Sequence, residues 1–484
     1  MNDKIRELEP KSLWNNFADL NAVPRPSKKE ERVRKFMIEF GNNLGLETAE
    51  DKIGNVIIKK PATEGMEDKQ TVILQSHLDM VHQKNNDTVF DFENEGIRMI
   101  VDGDWVKADG TTLGADNGIG VATIMAILES KDIKHPAIEA MFTVDEETGM
   151  TGALNLDPKY YDGTILLNLD TEDDDELSIG CAGGLDTDTT YEYEEKDSPN
   201  NVLTYKVELK GLVGGHSGMD IHKGRGNANK MLVRLLSNTD LNIYLHEMEG
   251  GGVRNAIPRE ATAIVSVENS HSATFEKYIE KMASTFKNEY DPVEKSISLT
   301  ATKTETPPKM VSEYETKAIL ATLNSVYNGV FKWSLKFDDL VETSSSLAFI
   351  SVKNGIFKSS SLQRSSVEST KADMARTIRS PFDILGADVV QSGDYPGWEP
   401  NPDSPILKAM NEIYINRFNE QPKVQACHAG LECGILLSHL PHIDTISFGP
   451  NIRHAHSPDE CVQISSVQKF WGYLLEVLEK IPGK

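Results

Sequence analysis

The chain has 484 residues, 39% of them hydrophobic and 26% charged, which is typical of a soluble globular protein with roughly two or three domains. The net charge of −25 argues against nucleic acid or an anionic membrane as a partner. The four cysteines include no CxxC pair and do not form a disulfide framework. These properties favour a large soluble protein whose negative charge can attract cations, but charge alone does not indicate a metal site.

The N-terminal residues are polar and amphipathic, without the apolar core of a signal peptide. No apolar run approaches the ~20 residues of a membrane helix, so we expect a cytoplasmic protein. Residues 3–21 predict an amphipathic helix, and Pro24 and Pro26 prevent it from continuing into the next segment. Ser27 and Glu30 then predict a capping box at the start of a second helix that extends to about residue 44.

Short apolar runs alternate with helical patterns along much of the chain. Strands are predicted at 55–59, 72–75, 137–144, 164–169 and 445–448, and helices at 121–130 and 405–418. This alternation predicts an α/β fold with a mostly parallel sheet flanked by helices. Residues 188–396 have a different, α+β character and predict an inserted lid domain with two similar halves at about 203–290 and 329–385. The catalytic domain would then consist of residues 1–187 and 397–484.

Polar residues that can bind metal come after several of these strands. His77 and Asp79 come directly after the strand at 72–75, and ligands in α/β proteins bind beyond the carboxyl ends of strands. Alone, such a pair is more often an ordinary polar turn. Asp116 ends a glycine-rich loop before a helix, where it could simply cap that helix. Glu146 and Glu147 could likewise be surface charge.

Together these residues favour a metal site, and the full set is His77, Asp79, Asp116, Glu146, Glu147, Asp170 and His456. Two histidines and three carboxylates suit two zinc ions with one bridging carboxylate. Manganese or cobalt would fit the same nitrogen and oxygen ligands, whereas calcium would favour oxygen ligands alone. The two remaining acids would orient an imidazole and accept a proton from activated water.

The motifs around these residues resemble the clan of co-catalytic di-zinc exopeptidases. They are His77-x-Asp79, Gly114-Ala-Asp116-Asn117, Asp145-Glu146-Glu147-Thr-Gly, Asn168-Leu-Asp170 and His456-Ser-Pro-Asp. Within the clan, four further motifs resemble the aminoacyl-histidine (Xaa-His) dipeptidases, or bacterial carnosinases. These are Gly214-Gly-His216-Ser-Gly, Gly226-Asn-Ala-Asn-Lys230, Arg254-Asn-Ala-Ile-Pro258 and His428-Ala-Gly-Leu-Glu-Cys-Gly434. The resemblance covers nearly the whole chain, with the motifs in the family's order.

The resemblance implies a role for each matched residue. His77 and Asp170 would bind one metal, Glu147 and His456 would bind the other, and Asp116 would bind both. The resemblance also implies that the Asp116–Asn117 peptide bond is cis. Glu146 would be the general base and Asp79 would orient His77. His216 would stabilise the tetrahedral intermediate, Asn255 would contact substrate, and Arg364, chosen mainly for its position in the lid, would bind the dipeptide carboxylate. His456 is preferred to His454 because Ser-Pro-Asp comes directly after it.

The expected function is metal-dependent removal of the N-terminal residue from dipeptides, with a preference for histidine as the second residue. An aminotripeptidase or an N-acyl amino acid deacylase is the alternative among enzymes. A catalytically inactive binding protein is disfavoured because all seven site positions are filled. The expected partners are small peptides, without nucleic acid or membrane, and the protein would be a monomer or a homodimer.

Overall fold

The computed structural model describes residues 2–484, which form two compact units. Unit 1 contains the chain up to Gly180, together with Pro400–Ala426 and Leu431–Lys484. Unit 2 contains Cys181–Glu399 and the short segment Cys427–Gly430. Within residues 2–484, no helix is both long enough and apolar enough to cross a membrane.

Unit 1 is built on an eight-stranded sheet. In spatial order its strands are Glu47–Glu50, Val56–Lys60, Ile138–Thr143, Val72–His77, Ile165–Asn168, Asp444–Ser447, Glu176–Cys181 and Lys423–Cys427. The four strands from Ile138–Thr143 to Asp444–Ser447 are parallel, whereas Glu47–Glu50, Val56–Lys60 and Glu176–Cys181 pair antiparallel with their neighbours. The predicted α/β class is confirmed, and its parallel pairing lies in the buried centre of the sheet, as expected for parallel strands.

Helices and a small second sheet complete unit 1. The α-helices are Lys11–Leu20, Glu31–Asn43, Ala115–Glu129, Glu146–Gly149, Thr151–Leu154, Pro405–Phe418, Glu432–His439 and Ile464–Glu479, and 3₁₀ turns lie at Ile5–Glu7 and Pro158–Tyr160. The small sheet has the order Ile452–Arg453, Cys461–Gln463, Trp105–Ala108, Met99–Asp102. Residues 118–128 of the helix Ala115–Glu129 are nearly all apolar and are buried, as expected for a helix inside a core.

Two helix boundaries near the N-terminus differ from the sequence prediction. The predicted helix at 3–21 is divided into a 3₁₀ turn and Lys11–Leu20, because Pro10 lies between them and cannot donate a backbone hydrogen bond. The predicted capping box at Ser27 is wrong, since the second helix begins only at Glu31. The carboxylate of Glu30 instead accepts hydrogen bonds from the backbone N–H groups of Lys28 and Asp145.

Unit 2 is an antiparallel sheet covered by helices. Its main sheet has the order Ser298–Thr304, Val202–Lys210, Ala261–Glu268, Tyr244–Gly251, Val341–Lys353, Ile356–Ser365, Gly183–Glu192, Asp388–Tyr395, and Gly329–Trp333 pairs with Val341–Lys353. Two short pairs join Glu195–Asp197 to Lys309–Val311 and Gly215–His216 to Ala256–Ile257. The helices are Ala228–Ser237, Ser272–Tyr290, Glu313–Ser325 and Glu368–Leu385, with a 3₁₀ turn at Asn269–His271. Leu232, Phe275, Ile319 and Phe382 pack from these helices into one apolar core.

Candidate metal centre and substrate-binding residues

The parallel strands of unit 1 bring three of the predicted metal-binding segments to one edge of the sheet. His77 is the last residue of Val72–His77, and Asp170 lies two residues beyond Ile165–Asn168. Glu146 and Glu147 begin the short helix that comes after Ile138–Thr143. Because neighbouring parallel strands end on the same side, these side chains meet in space although up to 93 residues separate them in the chain.

Asp116 lies between the two histidines of the predicted site. Its Oδ1 is 3.1 Å from His77 Nε2 and its Oδ2 is 3.0 Å from His456 Nε2. The N-cap of the helix that carries it is Gly114, and the Asp116 backbone is not helical, so its carboxylate faces the histidines. The Asp116–Asn117 peptide bond is cis. Because Oδ1 lies beside His77 and Oδ2 beside His456, the two carboxylate oxygens can bind two different metal ions.

These groups contain the residues that could hold metal ions. One group is His77, Asp116 and Asp170, a second is Asp116, Glu147 and His456, and a third is His77, Glu146 and Glu147; within each, the ligand atoms lie within 4.8 Å of one another. His77 Nε2 is 3.6 Å from Asp170 Oδ1, and His456 Nε2 is 2.9 Å from Glu147 Oε2. The first two groups share only Asp116.

A fourth cluster, formed by Glu30, Asp79 and Asp145, consists of buried carboxylates alone. Its oxygens already accept hydrogen bonds from backbone N–H groups and from hydroxyl groups, including that of Thr151 at 2.7 Å from Asp145. The carboxylates of this cluster therefore bind N–H and hydroxyl groups of the protein itself, and they hold the neighbouring loops in place.

The charges of the site fit a cation. Burial raises the pKa of Asp170 to about 6, and burial together with neighbouring carboxylates raises the pKa of Glu146 well above its usual value. Hydrogen bonds to Asp116 and Glu147 raise the pKa of His456 to about 11. Glu147 also has a buried oxygen, Oε1, without a hydrogen-bond partner. These pKa shifts reflect buried carboxylates crowded together, and divalent cations would provide the positive charge that such ligands favour.

Asp79 lies beneath this site and contacts two of its segments. Its Oδ1 is 3.4 Å from His77 Nδ1, while the backbone carbonyl of Asp79 is 3.1 Å from the same nitrogen. The carboxylate also accepts hydrogen bonds from the N–H groups of Glu146 at 3.0 Å and Glu147 at 3.2 Å. Asp79 is fully buried. It therefore connects the orientation of His77 to the position of both glutamates.

Two supporting residues were outside the predicted site although both lie in the quoted motifs. Asn117 donates hydrogen bonds from its side chain to Asp170 and to the backbone carbonyl of Leu169. Glu432 is 1% exposed and accepts hydrogen bonds from Gln75 at 2.8 Å and Thr143 at 2.7 Å. Their presence in those motifs was the only sequence signal, because their partners lie on distant strands.

The predicted substrate-binding residues lie in unit 2. His216 and Asn255 belong to two adjacent segments, in which His216 pairs with Ala256 and the Asn255 carbonyl accepts a hydrogen bond from Ser217 N at 2.8 Å. Asn255 itself is exposed. Arg364 is 4% exposed and donates from Nη1 to the Tyr395 hydroxyl at 3.0 Å.

His216 and Arg364 face a common position. The Nδ1 of His216 accepts hydrogen bonds from the N–H groups of Gly218 and Met219, so the hydrogen of the neutral ring lies on Nε2. Burial and the nearby charge of Arg364 lower the pKa of His216 to about 4, which keeps the ring neutral near pH 7. Arg364 Nη2 is 3.4 Å from His216 Nε2. The side chains of His216 and Arg364 therefore place two hydrogen-bond donors side by side.

This combination of fold and ligand groups defines a family of peptidases. Residues 73–480 match the model for peptidase family M20/M25/M40, which covers most of the chain. The chain therefore belongs to this family and is a metal-dependent peptidase. The family resemblance found in the sequence motifs is confirmed.

Individual relatives cover the whole length. The chain is 39% identical over 483 residues to the cytosol non-specific dipeptidase of Escherichia coli strain K12, covering 99% of this chain and all of the relative. The crystal structure of aminoacylhistidine dipeptidase from Vibrio alginolyticus is 41% identical, with a TM-score of 0.94 and coverage of 99% of this chain and 98% of that one. An aminopeptidase from Bacillus cereus shares the fold, with a TM-score of 0.57, 16% identity and coverage of 98% and 99% of the two chains.

Proposed function

We propose that the protein is a di-zinc dipeptidase that removes the N-terminal residue from dipeptides, including those with histidine as the second residue. The observation that carries the proposal is the position of Asp116, whose two oxygens lie 3.1 and 3.0 Å from His77 and His456. A carboxylate shared in this way suits a two-metal site, in which one group can bind both ions. The relatives from Escherichia coli and Vibrio alginolyticus, which match over the full length, are both named as dipeptidases.

The metals would be held by residues on both sides of Asp116. His77 and Asp170 would bind one ion, Glu147 and His456 the other, and Asp116 both. Zinc suits these nitrogen and oxygen donors, and manganese or cobalt would also fit. When bound, such ions supply Lewis-acid chemistry, because they polarise a carbonyl oxygen and lower the pKa of water.

Glu146 is the residue that would move the proton. Its backbone is held by Asp79, and its carboxyl group lies beside the proposed metal ligands His77 and Glu147. Glu146 would accept a proton from the attacking water and transfer it to the amine of the leaving amino acid. Burial and the neighbouring carboxylates raise the pKa of Glu146, which favours holding the proton between the two transfers.

Unit 2 would recognise the substrate. The neutral Nε2–H of His216 would donate a hydrogen bond to the oxygen that becomes negative in the tetrahedral intermediate. Arg364 would bind the substrate carboxylate, since a guanidinium matches the geometry of a carboxylate. The exposed side chain of Asn255 would contact the substrate backbone. Residues 188–396 would act as a lid, with the catalytic domain formed by 1–187 and 397–484.

Metal analysis and a peptide panel test the proposal together. The purified protein should contain about two zinc equivalents per chain and lose activity with a chelator, as two-metal catalysis requires. The panel should include β-alanyl-histidine, other Xaa-His dipeptides, dipeptides without histidine, a tripeptide and an N-acyl amino acid. Hydrolysis of the N-acyl amino acid or the tripeptide in preference to every dipeptide would contradict a dipeptidase.

The same relatives support a proposal for the cellular setting. We propose a cytosolic enzyme, as the name of the Escherichia coli relative states for that protein. Its partners would be small peptides, and it would be a monomer or a homodimer. The aminotripeptidase and deacylase alternatives are not favoured, because the relatives that match over the full length are named as dipeptidases.

A further inference from the structure

Two buried charged residues outside the predicted site lie on either side of the loop that carries Asp116. We call residues 113–116 the bridging loop. Glu460 is 2% exposed and Arg25 is 1% exposed. Both form hydrogen bonds to the backbone of this loop rather than to its side chains.

Glu460 accepts four hydrogen bonds from consecutive N–H groups of the bridging loop. Its Oε2 accepts from Leu113 at 2.7 Å and Gly114 at 2.9 Å, and its Oε1 accepts from Ala115 at 2.7 Å and Asp116 at 3.2 Å. Some of these donors belong to the first turn of a helix, where N–H groups have no partner within the helix. A negative charge there is also favoured by the helix dipole. One carboxylate therefore fixes the backbone from which Asp116 projects.

Arg25 holds the carbonyl side of the same loop. Its Nη2 donates to the carbonyl of Gly114 at 2.6 Å, and its Nη1 donates to those of Leu78 at 3.1 Å and Asp79 at 3.2 Å. These last two residues come directly after His77. The guanidinium thus joins the segment of His77 to the bridging loop, using the fixed fork of donors that lysine lacks.

Glu460 also connects the bridging loop to the second histidine. His456 lies four residues before Glu460, and the intervening turn is closed by a hydrogen bond from Glu460 N to the Ser457 carbonyl at 3.0 Å. The same short segment therefore carries one proposed metal ligand and the carboxylate that holds the bridging loop. A shift of either one would alter the 3.0 Å contact between His456 and Asp116.

We propose that Glu460 and Arg25 are positioning residues that set the distance between the two metal-binding groups. They join the segments of His77, Asp116 and His456 through backbone hydrogen bonds, and their opposite charges balance each other inside the protein. The inference rests on the proposed two-metal site. It assigns a function to two residues that form hydrogen bonds to the backbone of the metal-binding segments.

Glu460→Gln is the most direct test, because glutamine keeps the size of the side chain. Its oxygen can accept from two of the four N–H groups, but its NH₂ group would then face the other two as a second donor. Loss of such supporting contacts typically weakens metal binding or activity by about 10–100-fold. We therefore expect zinc binding weaker by that factor and a lower kcat with KM nearly unchanged, measured by competition with a chelator and by dipeptide hydrolysis.

Glu420→Gln is the matched control. Glu420 is an exposed glutamate in the same unit and outside the segments that carry the proposed ligands, so this variant makes the same substitution and the same change in charge. It should bind zinc and hydrolyse dipeptides like the wild type. An equal loss in the control would assign the effect to net charge and overturn the proposal.

The melting temperature of each metal-free protein separates positioning from general stability. If Glu460→Gln melts earlier but its folded molecules bind zinc with wild-type affinity, Glu460 is merely structural and the inference is overturned. If the glutamine variant does not fold, Glu460→Asp takes its place in the same measurements, with a smaller loss of affinity expected. A wild-type protein that binds zinc and is active, beside variants with unchanged affinity, would refute this inference alone. A wild-type protein without zinc binding would refute the proposed function as well.

Discussion

Replacement of Asp79 by asparagine would test how the active-site segments are held together. The Asp79 carboxylate accepts hydrogen bonds from the backbone N–H groups of Glu146 and Glu147, and one of its oxygens lies 3.4 Å from the His77 ring. In Asp79→Asn, one oxygen can keep one of the two backbone hydrogen bonds. The NH₂ group that replaces the other oxygen is a donor facing a donor, so the second bond is lost.

The lost bond determines the size of the effect. A hydrogen bond to a charged group contributes about 1.5–3 kcal/mol, and Asp79 is fully buried, so water cannot replace it. Since each 1.4 kcal/mol is a factor of ten, about 10- to 150-fold is expected if the loss falls on the metal-bound state. The His77 ring should change less, because the Asp79 carbonyl at 3.1 Å remains available to its Nδ1.

Zinc affinity and dipeptide kinetics would be measured on the same preparations of wild type and Asp79→Asn. We expect weaker zinc binding and a lower kcat/KM, each changed by a factor within that range. Asp162→Asn is a suitable control, because Asp162 is exposed and its carboxylate lies 3.6 Å from Lys59 Nζ, in an exposed ion pair. Wild-type zinc affinity and wild-type kinetics in Asp79→Asn would show that the carboxylate does not hold the two glutamates in place.

Three further predictions concern single residues. Glu146→Gln should lower kcat by about 10²–10⁴-fold with zinc content unchanged, whereas Glu147→Gln should lose zinc as well as activity. Metal analysis and kinetics on the same preparations distinguish the two variants. Near-normal turnover in Glu146→Gln would contradict its role as general base. His216→Ala should lower kcat by about 10²–10³-fold with little change in KM, and an unchanged kcat would leave His216 a structural role. Burial lowers the pKa of His428 to about 3, whereas an ordinary histidine has a pKa of about 6.5. Between these two pH values the unfolded chain binds a proton at His428 that the folded chain does not bind. The free energy of unfolding should therefore fall as the pH decreases from about 6.5 towards 3. In His428→Gln, urea unfolding at pH 7 and pH 5 should show a smaller loss of stability than in the wild type; an equal loss would assign the acid sensitivity to other groups.

The sequence was sufficient for the elements that form the sheet of unit 1. Val72–His77, Ile138–Thr143 and Ile165–Asn168 lie where short apolar runs predicted strands, because the burial of a central parallel strand is visible in a few consecutive residues. The acidic residues and the histidine at the ends of these strands were therefore recognisable as candidates for one site. Their individual roles stay predictions.

Local patterns failed where a side chain bonds to a distant segment. Glu30 fits a capping box with Ser27, yet its carboxylate accepts a hydrogen bond from Asp145, 115 residues away. A capping preference contributes only about 1 kcal/mol, which a buried tertiary hydrogen bond can match. The helix consequently begins at Glu31.

The positions of the central strands and the identity of the candidate ligands were determined by the sequence itself, since both follow from local residue patterns and from motifs in a family order. Only the tertiary structure decided that Asp116 lies between His77 and His456, which are 379 residues apart. It also brought Arg25 and Glu460 to opposite sides of the bridging loop. The physical reason is that backbone N–H and carbonyl groups are the same at nearly every position of the chain. Which distant side chain satisfies them is determined only when the strands and loops have packed together.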